Sequence, residues 1–100
     1  MRLLLAVSRF ATPEIRHPIE VEGGLVFHPD LAFVAERVAL EYEGDGHRAD
    51  RTTWLDDIER RELMEAAGWR VVRVTSRDTF EHPELFVVRL RRILQSRTPR

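Results

Sequence analysis

Two apolar segments joined by a short turn constrain the fold of this chain more than any other feature. Residues 25–34 and 37–43 are rich in β-branched and aromatic residues, and a turn centred on Ala35–Glu36 separates them. Alternate residues of a strand point to opposite faces, so this turn brings Phe33 opposite Val38 on one apolar face. The segments therefore predict an antiparallel hairpin with one face in the core.

The other face of the predicted hairpin collects acidic side chains. The same register puts Asp30 directly opposite Glu41. It also puts His28 opposite Glu43. Directly opposed residues have Cβ atoms about 4.5–5.5 Å apart, and like charges at that distance repel each other. Two explanations stand: a divalent cation bound by carboxylate oxygens relieves the repulsion, or this face is simply solvated.

Three further elements are predicted after the hairpin: a helix over residues 50–67, a strand over residues 69–75 and a helix from Pro83 to about Gln95. Asp50 is the expected N-cap of the first helix and Gly68 its stop. The strand–helix–strand order predicts a right-handed crossover and a parallel pairing of the strands at 37–43 and 69–75. Trp69 is expected to anchor the core.

The segment before the hairpin is predicted to be less regular. Its expected parts are a remnant of a helix over residues 1–9, an irregular stretch over residues 11–18, a short strand over residues 19–22 and a turn at Gly23–Gly24. Pro13 and Pro18 oppose regular structure in the irregular stretch.

Length and composition predict one soluble domain. One hundred residues suffice for a single core, so we expect one domain over residues 1–100 with its core at about 11–95. The chain has no cysteine, which excludes disulfides and thiolate metal sites. The apolar run in MRLLLAVS is too short for a signal peptide, and no stretch could span a membrane. We expect a cytoplasmic protein with no membrane partner.

Charge is distributed unevenly along the chain. Residues 1–68 hold eight arginines and fourteen acidic residues, whereas residues 69–100 hold eight arginines and three acidic residues. All basic residues are arginine, whose planar fork binds phosphates in a bidentate manner. The arginines outside the apolar stripe of the last helix therefore meet phosphates or only water: Arg89, Arg91, Arg92 and Arg97.

Four segments carry a resemblance to a known family: PDLAF at 29–33, VALEYEGDGH at 38–47, DIER at 57–60 and AAGWRVVRVT at 66–75. In order and spacing they resemble the very-short-patch-repair-like endonuclease domains of the PD-(D/E)XK nuclease superfamily, in particular small bacterial members of actinobacterial type. The resemblance covers roughly residues 11–95. It implies an α/β, restriction-endonuclease-like core: a meander or hairpin, then helix, parallel strand and C-terminal helix. The first helix of the family is short or missing here, which leaves room for a homodimer or a partner subunit that completes the N-terminal part of the core.

The resemblance also implies roles for individual residues. Asp30, Glu41 and the backbone carbonyl of Tyr42 match the ligands of a catalytic Mg²⁺ or Mn²⁺. Glu43 stands where many superfamily members have lysine and counts among the implied catalytic residues. Either it ligates a second ion, or the metal alone activates the water. His47 matches a histidine that protonates a leaving group or contacts a phosphate.

Arginines near these residues are the expected contacts to DNA: Arg48, Arg60 and Arg73. A structural role is the alternative for two of them. Glu59 interrupts the apolar stripe of the predicted helix, so it is expected to form an ion pair with Arg60 or with Arg73.

The predicted function is a Mg²⁺-dependent endonuclease that hydrolyses DNA phosphodiester bonds, in repair or defence. The alternative is a module of the same fold with weak or no catalysis. Such a module would bind nucleic acid, or would serve protein contacts as in toxin–antitoxin systems.

Overall fold

The computed structural model of the protein describes residues 12–43 and 56–97. The described elements are β1 (Glu14–Ile15), β2 (Ile19–Glu20), β3 (Val26–Phe27), β4 (Leu31–Phe33), β5 (Val38–Tyr42), α1 (Asp57–Ala66), β6 (Arg70–Val74), a π-helical turn (Arg77–Glu81) and α2 (Pro83–Arg97). The predicted helical piece at 1–9, the predicted N-cap Asp50 and the site candidates His47 and Arg48 lie outside the described residues. No helix within the described ranges is long and apolar enough to cross a bilayer.

Among the described residues, the main sheet has four strands in the order β1-β4-β5-β6, and β2 and β3 form a separate antiparallel pair. β4 pairs with β5 in antiparallel fashion, with Phe33 opposite Val38 and Leu31 opposite Leu40. β5 pairs with β6 in parallel. The predicted α/β class, hairpin register and parallel pairing are therefore confirmed.

The predicted strand over residues 25–34 is wrong as a continuous element. It is divided into β3 and β4. The three residues between them belong to neither strand, and they include the buried Pro29. Proline has no N–H to donate to a neighbouring strand, so it interrupts pairing here. β3 pairs with β2 instead of continuing along β5. His28 consequently does not pair with Glu43.

The N-terminal segment is more regular than expected. β1 lies inside the stretch predicted to be irregular, between Pro13 and Pro18, and forms the edge of the main sheet against β4. The predicted strand at 19–22 is confirmed but shorter, because β2 ends at Glu20 and the chain then turns at Gly23–Gly24.

Helix α1 begins later than predicted. Asp56 has an extended backbone, with φ −77° and ψ 171°, and its side chain accepts a hydrogen bond of 2.8 Å from the N–H of Glu59. This arrangement is an N-cap, and it excludes one continuous helix through residue 56. The predicted stop is confirmed: Gly68 has φ +98°, a left-handed conformation that glycine adopts without steric cost.

The two helices cover opposite faces of the sheet. The α2 face is a cluster of buried residues on strands and helix: Leu31, Phe33, Val38, Leu40, Val72, Val74, Phe86, Leu90 and Leu94. The α1 face contains the other cluster: Ile19, Val21, Ala32, Ala39, Met64, Trp69 and Val71. The predictions of an apolar stripe on the last helix and of Trp69 as a core anchor are confirmed. The second face of the hairpin is not simply solvated, because Ala32 and Ala39 are buried there.

The two ends of the sheet differ in their contacts. At the turn end, formed by residues 34–37 and 67–70, Arg97 donates hydrogen bonds of 2.8 Å to the Glu36 carbonyl and 2.6 Å to the Gly68 carbonyl. The expectation that Arg97 meets phosphates or only water is therefore wrong. At the carboxyl end, where β5 and β6 finish, the N–H of Glu43 donates to the Val74 carbonyl at 2.9 Å. The candidate site lies at this carboxyl end.

Candidate functional site

Asp30 is fixed at the carboxyl end of β5 by a contact to the backbone. It follows Pro29, and its Oδ2 accepts a hydrogen bond of 2.7 Å from the N–H of Tyr42. The side chain thus adds one hydrogen bond between the two arms of the β4–β5 hairpin, beyond the last strand pair at Leu31 and Leu40. Since the N–H and C=O of a strand residue point toward the same neighbouring strand, the Tyr42 carbonyl is directed toward the side on which Asp30 lies.

Glu41 lies on the α1 face, two residues after Ala39, and forms an ion pair with Arg60 of α1. The side chains are 18% and 19% exposed, respectively. The Arg60 guanidinium also lies 4.9 Å from the centre of the Phe27 ring. The sequence-based pairing of Arg60 with Glu59 is wrong, because the described ion pair joins two elements that are distant in sequence. A helix–strand contact of this kind has no short-range sequence signal.

Arg73 lies between two further carboxylates. Its guanidinium is 3.3 Å from Asp57 of α1 and 3.8 Å from Glu43. Asp57, and not Glu59, is therefore the acidic residue of the helix that contacts Arg73, although both are exposed. The match of Asp57, Glu59 and Arg60 to the family left open which of them faces the site. The spacing of Asp57 and Arg60 places both on one side of α1.

The site has an excess of negative charge. Two guanidinium groups (Arg60 and Arg73) face four carboxylates (Asp30, Glu41, Glu43 and Asp57), which leaves a net charge of −2 on these described side chains. The pKa of Tyr42 is raised from its ordinary value of 10.0, first by burial and then by the negative charge of Asp30. Its hydroxyl therefore stays protonated to a higher pH than the hydroxyl of an ordinary tyrosine.

The donors at this end of the sheet fit a Mg²⁺ ion in type and charge. Carboxylate and carbonyl oxygens are the ligands that Mg²⁺ prefers, and a divalent cation matches the local charge of −2. The described contacts engage Oδ2 of Asp30 and Oε2 of Glu41, so Oδ1 and Oε1 are the atoms available to an ion. Within the described ranges no group of three or more histidine or acidic side chains is placed to hold a metal. The fit thus depends on two carboxylates and one carbonyl.

The contact between Arg60 and Glu41 removes the need for a cation that the strand register suggested. Repulsion between Asp30 and Glu41 suggested a cation, but the guanidinium already supplies a positive charge to Glu41. The register brings the two acidic residues to the same end of the sheet without requiring a metal there.

Comparison with known proteins yields distant relatives. Two proteins of Mycobacterium tuberculosis, "uncharacterized protein MT2308" of strain CDC 1551 / Oshkosh and "uncharacterized protein Rv2248" of strain H37Rv, are each 29% identical to this chain over 93 residues. The match covers 93% of this chain but 34% of each relative, so the chain spans about a third of their length. No family model matches the chain, and no solved structure matches it significantly.

Proposed function

We propose that this chain is a metal-dependent endonuclease domain with a restriction-endonuclease-like core, which hydrolyses DNA phosphodiester bonds in repair or defence. One observation carries the proposal: the contact between Asp30 and the Tyr42 N–H, which brings the first acidic residue of the predicted ligand set to the strand end that holds Glu41. The order β4, β5, α1, β6 agrees with the core that the sequence resemblance implies.

The position of the charged residues supports a ligand site. In open α/β sheets, ligands bind outside the carboxyl ends of the strands. β5 and β6 finish at this end. The start of α1 also lies there, since Arg60 in its first turns contacts Glu41 at the end of β5.

Asp30, Glu41 and the Tyr42 carbonyl would hold the Mg²⁺ or Mn²⁺ ion. A bound ion of this type makes water more acidic and neutralises charge on a phosphate. Arg60 and Arg73 are the candidate phosphate contacts among the described residues, although both are now paired with carboxylates. Glu43 keeps its two alternative roles, and His47 and Arg48 keep their predicted roles as proton donor or phosphate contacts.

The second candidate function is a catalytically weak or inactive module that binds nucleic acid or protein. The ion pair between Arg60 and Glu41 favours it, because the carboxylate has a positive partner without a metal. The absence of lysine also removes the residue that assists the attacking water in many superfamily members.

A plasmid-nicking assay tests the proposal. The protein should nick supercoiled DNA with Mn²⁺, which tolerates looser geometry than Mg²⁺, and EDTA should stop the reaction. Asp30→Asn and Glu41→Gln should each abolish nicking. Glu62→Gln is the matched control, since this exposed residue of α1 loses the same charge away from the site.

Two outcomes would contradict the proposal in different ways. Nicking that persists in Asp30→Asn would indicate a contaminating nuclease. A protein that cuts neither duplex, single-stranded nor mismatched DNA with either ion would support the binding module instead.

A further inference from the structure

The Arg60–Glu41 ion pair occupies one of the proposed metal ligands. Both side chains are less than one fifth exposed, so water screens their attraction less than it does at the surface. The guanidinium has a second contact on the Phe27 ring. An ion that approaches Glu41 therefore meets a positive charge that is already held in place from two sides.

We propose that Arg60 competes with the metal ion for Glu41 and thereby sets the affinity of the site, an inference that rests on the metal site of the proposed function. A guanidinium and a divalent cation on the same carboxylate repel each other. An ion at Oε1 therefore binds more tightly when Arg60 gives up its contact with Oε2 of Glu41.

Phe27 provides a position for the displaced side chain. A guanidinium over an aromatic face is attracted by the ring without a carboxylate partner. Phe27 belongs to β3, which pairs with β2 outside the main sheet. The small N-terminal hairpin thus supplies the surface on which Arg60 stays while Glu41 serves the metal.

A supporting role for Arg60 makes the opposite prediction. In many metal sites an outer residue holds the ligand in position, and its removal weakens metal binding by about 10–100-fold. Competition predicts that removal of Arg60 strengthens binding. The sign of the change therefore separates the two roles.

Calorimetric titration with Mn²⁺ measures that sign. Arg60→Gln should bind Mn²⁺ about tenfold more tightly than the wild type, which corresponds to about 1.4 kcal/mol. Arg60→Lys keeps the charge and should bind like the wild type. Arg61→Gln is the matched control for a general loss of positive charge, because Arg61 is 48% exposed and pairs with Glu65 at 3.6 Å.

Each result has a defined consequence. Tighter binding in Arg60→Gln but not in Arg61→Gln supports competition, and equal or weaker binding overturns it. If only Arg60→Gln binds Mn²⁺, competition is supported, but the wild-type protein then has no functional metal site. No binding by any variant overturns both this inference and the proposed metal site.

A second measurement follows the wild-type protein and uses a variant only to assign one signal. In ¹⁵N NMR, the Nε–H signal of Arg60 should shift as Mg²⁺ saturates the wild-type protein, with Arg60→Lys identifying the signal. A signal that stays in place while the metal binds would overturn the competition.

Discussion

The two faces of the central sheet differ in how far their apolar residues extend. The α2 face is apolar along its whole length, from Val38 near the turn to Val74 at the carboxyl end. The α1 face is apolar only near the turn, where Ala39 and Val71 lie, and two residues further along it carries Glu41 and Arg73. The α2 face therefore contributes apolar burial along its whole length, whereas the α1 face does so near the turn and carries charges beyond it.

The largest expected effect concerns the α2 face. Leu40→Ala should lower the free energy of unfolding by about 2–5 kcal/mol, because it leaves a cavity where a side chain is 2% exposed. Denaturant unfolding followed by circular dichroism measures the change. Leu85→Ala in α2 is the control, with little effect expected since that side chain is 62% exposed. Equal losses in both variants would show that the α2 face does not carry the core.

The next effect concerns the charged half of the α1 side. Asp30→Asn should weaken Mn²⁺ binding by at least about tenfold, because loss of a ligand charge costs at least as much as loss of an outer partner. Calorimetry measures the affinity, with Glu62→Gln as the control. If both variants bind as the wild type does, the ion lies elsewhere or does not bind.

A smaller effect is expected for the ion pair itself. Glu41→Gln should lower the stability of the metal-free protein by about 1–2 kcal/mol, because Arg60 loses a charged hydrogen-bond partner in a half-buried position. The strand register alone predicts unchanged or improved stability, since it shows only the repulsion from Asp30. Glu43→Gln is the matched control: its side chain is 51% exposed, and surface ion pairs contribute little. A fully stable Glu41→Gln protein would contradict the structural role of the pair.

The smallest effect is a change in the pKa of Tyr42, the single tyrosine of the chain. Absorbance near 295 nm as a function of pH should show a pKa above the ordinary 10.0, and Asp30→Asn should lower it toward that value. Because of the raised pKa, the Tyr42 hydroxyl of the folded protein stays protonated at pH values at which the hydroxyl of the unfolded chain has ionised. Stability from this group is therefore full below pH 10.0 and is lost as pH rises toward the folded pKa. An unchanged midpoint in Asp30→Asn would show that the Asp30 charge does not reach the phenol.

The features that depend on short-range pattern could be predicted from the sequence. Alternation in strands fixed the β4–β5 register, and the glycine stop and Pro83 marked two helix boundaries. The start of α1 was missed because several aspartates precede it, and only the backbone at Asp56 identifies the one that caps.

The partners of the arginines could not be predicted for a different reason. Arg60 and Arg73 lie on different elements from Glu41 and Asp57, respectively. Their pairing depends on how α1 lies across the sheet, which a one-dimensional pattern does not contain. The predicted roles of Asp30, Glu41 and Tyr42 in catalysis stay predictions until the metal and nicking measurements are made.

The position of Arg97 has a consequence for protein engineering. Its hydrogen bonds to the Glu36 and Gly68 carbonyls fix the last turn of α2 at the turn end. A tag, label or additional domain attached after this helix therefore starts at the end of the sheet opposite to Asp30 and Glu41. An addition there starts away from the carboxyl end of the sheet, whereas loss of the Arg97 side chain would first loosen the turn end.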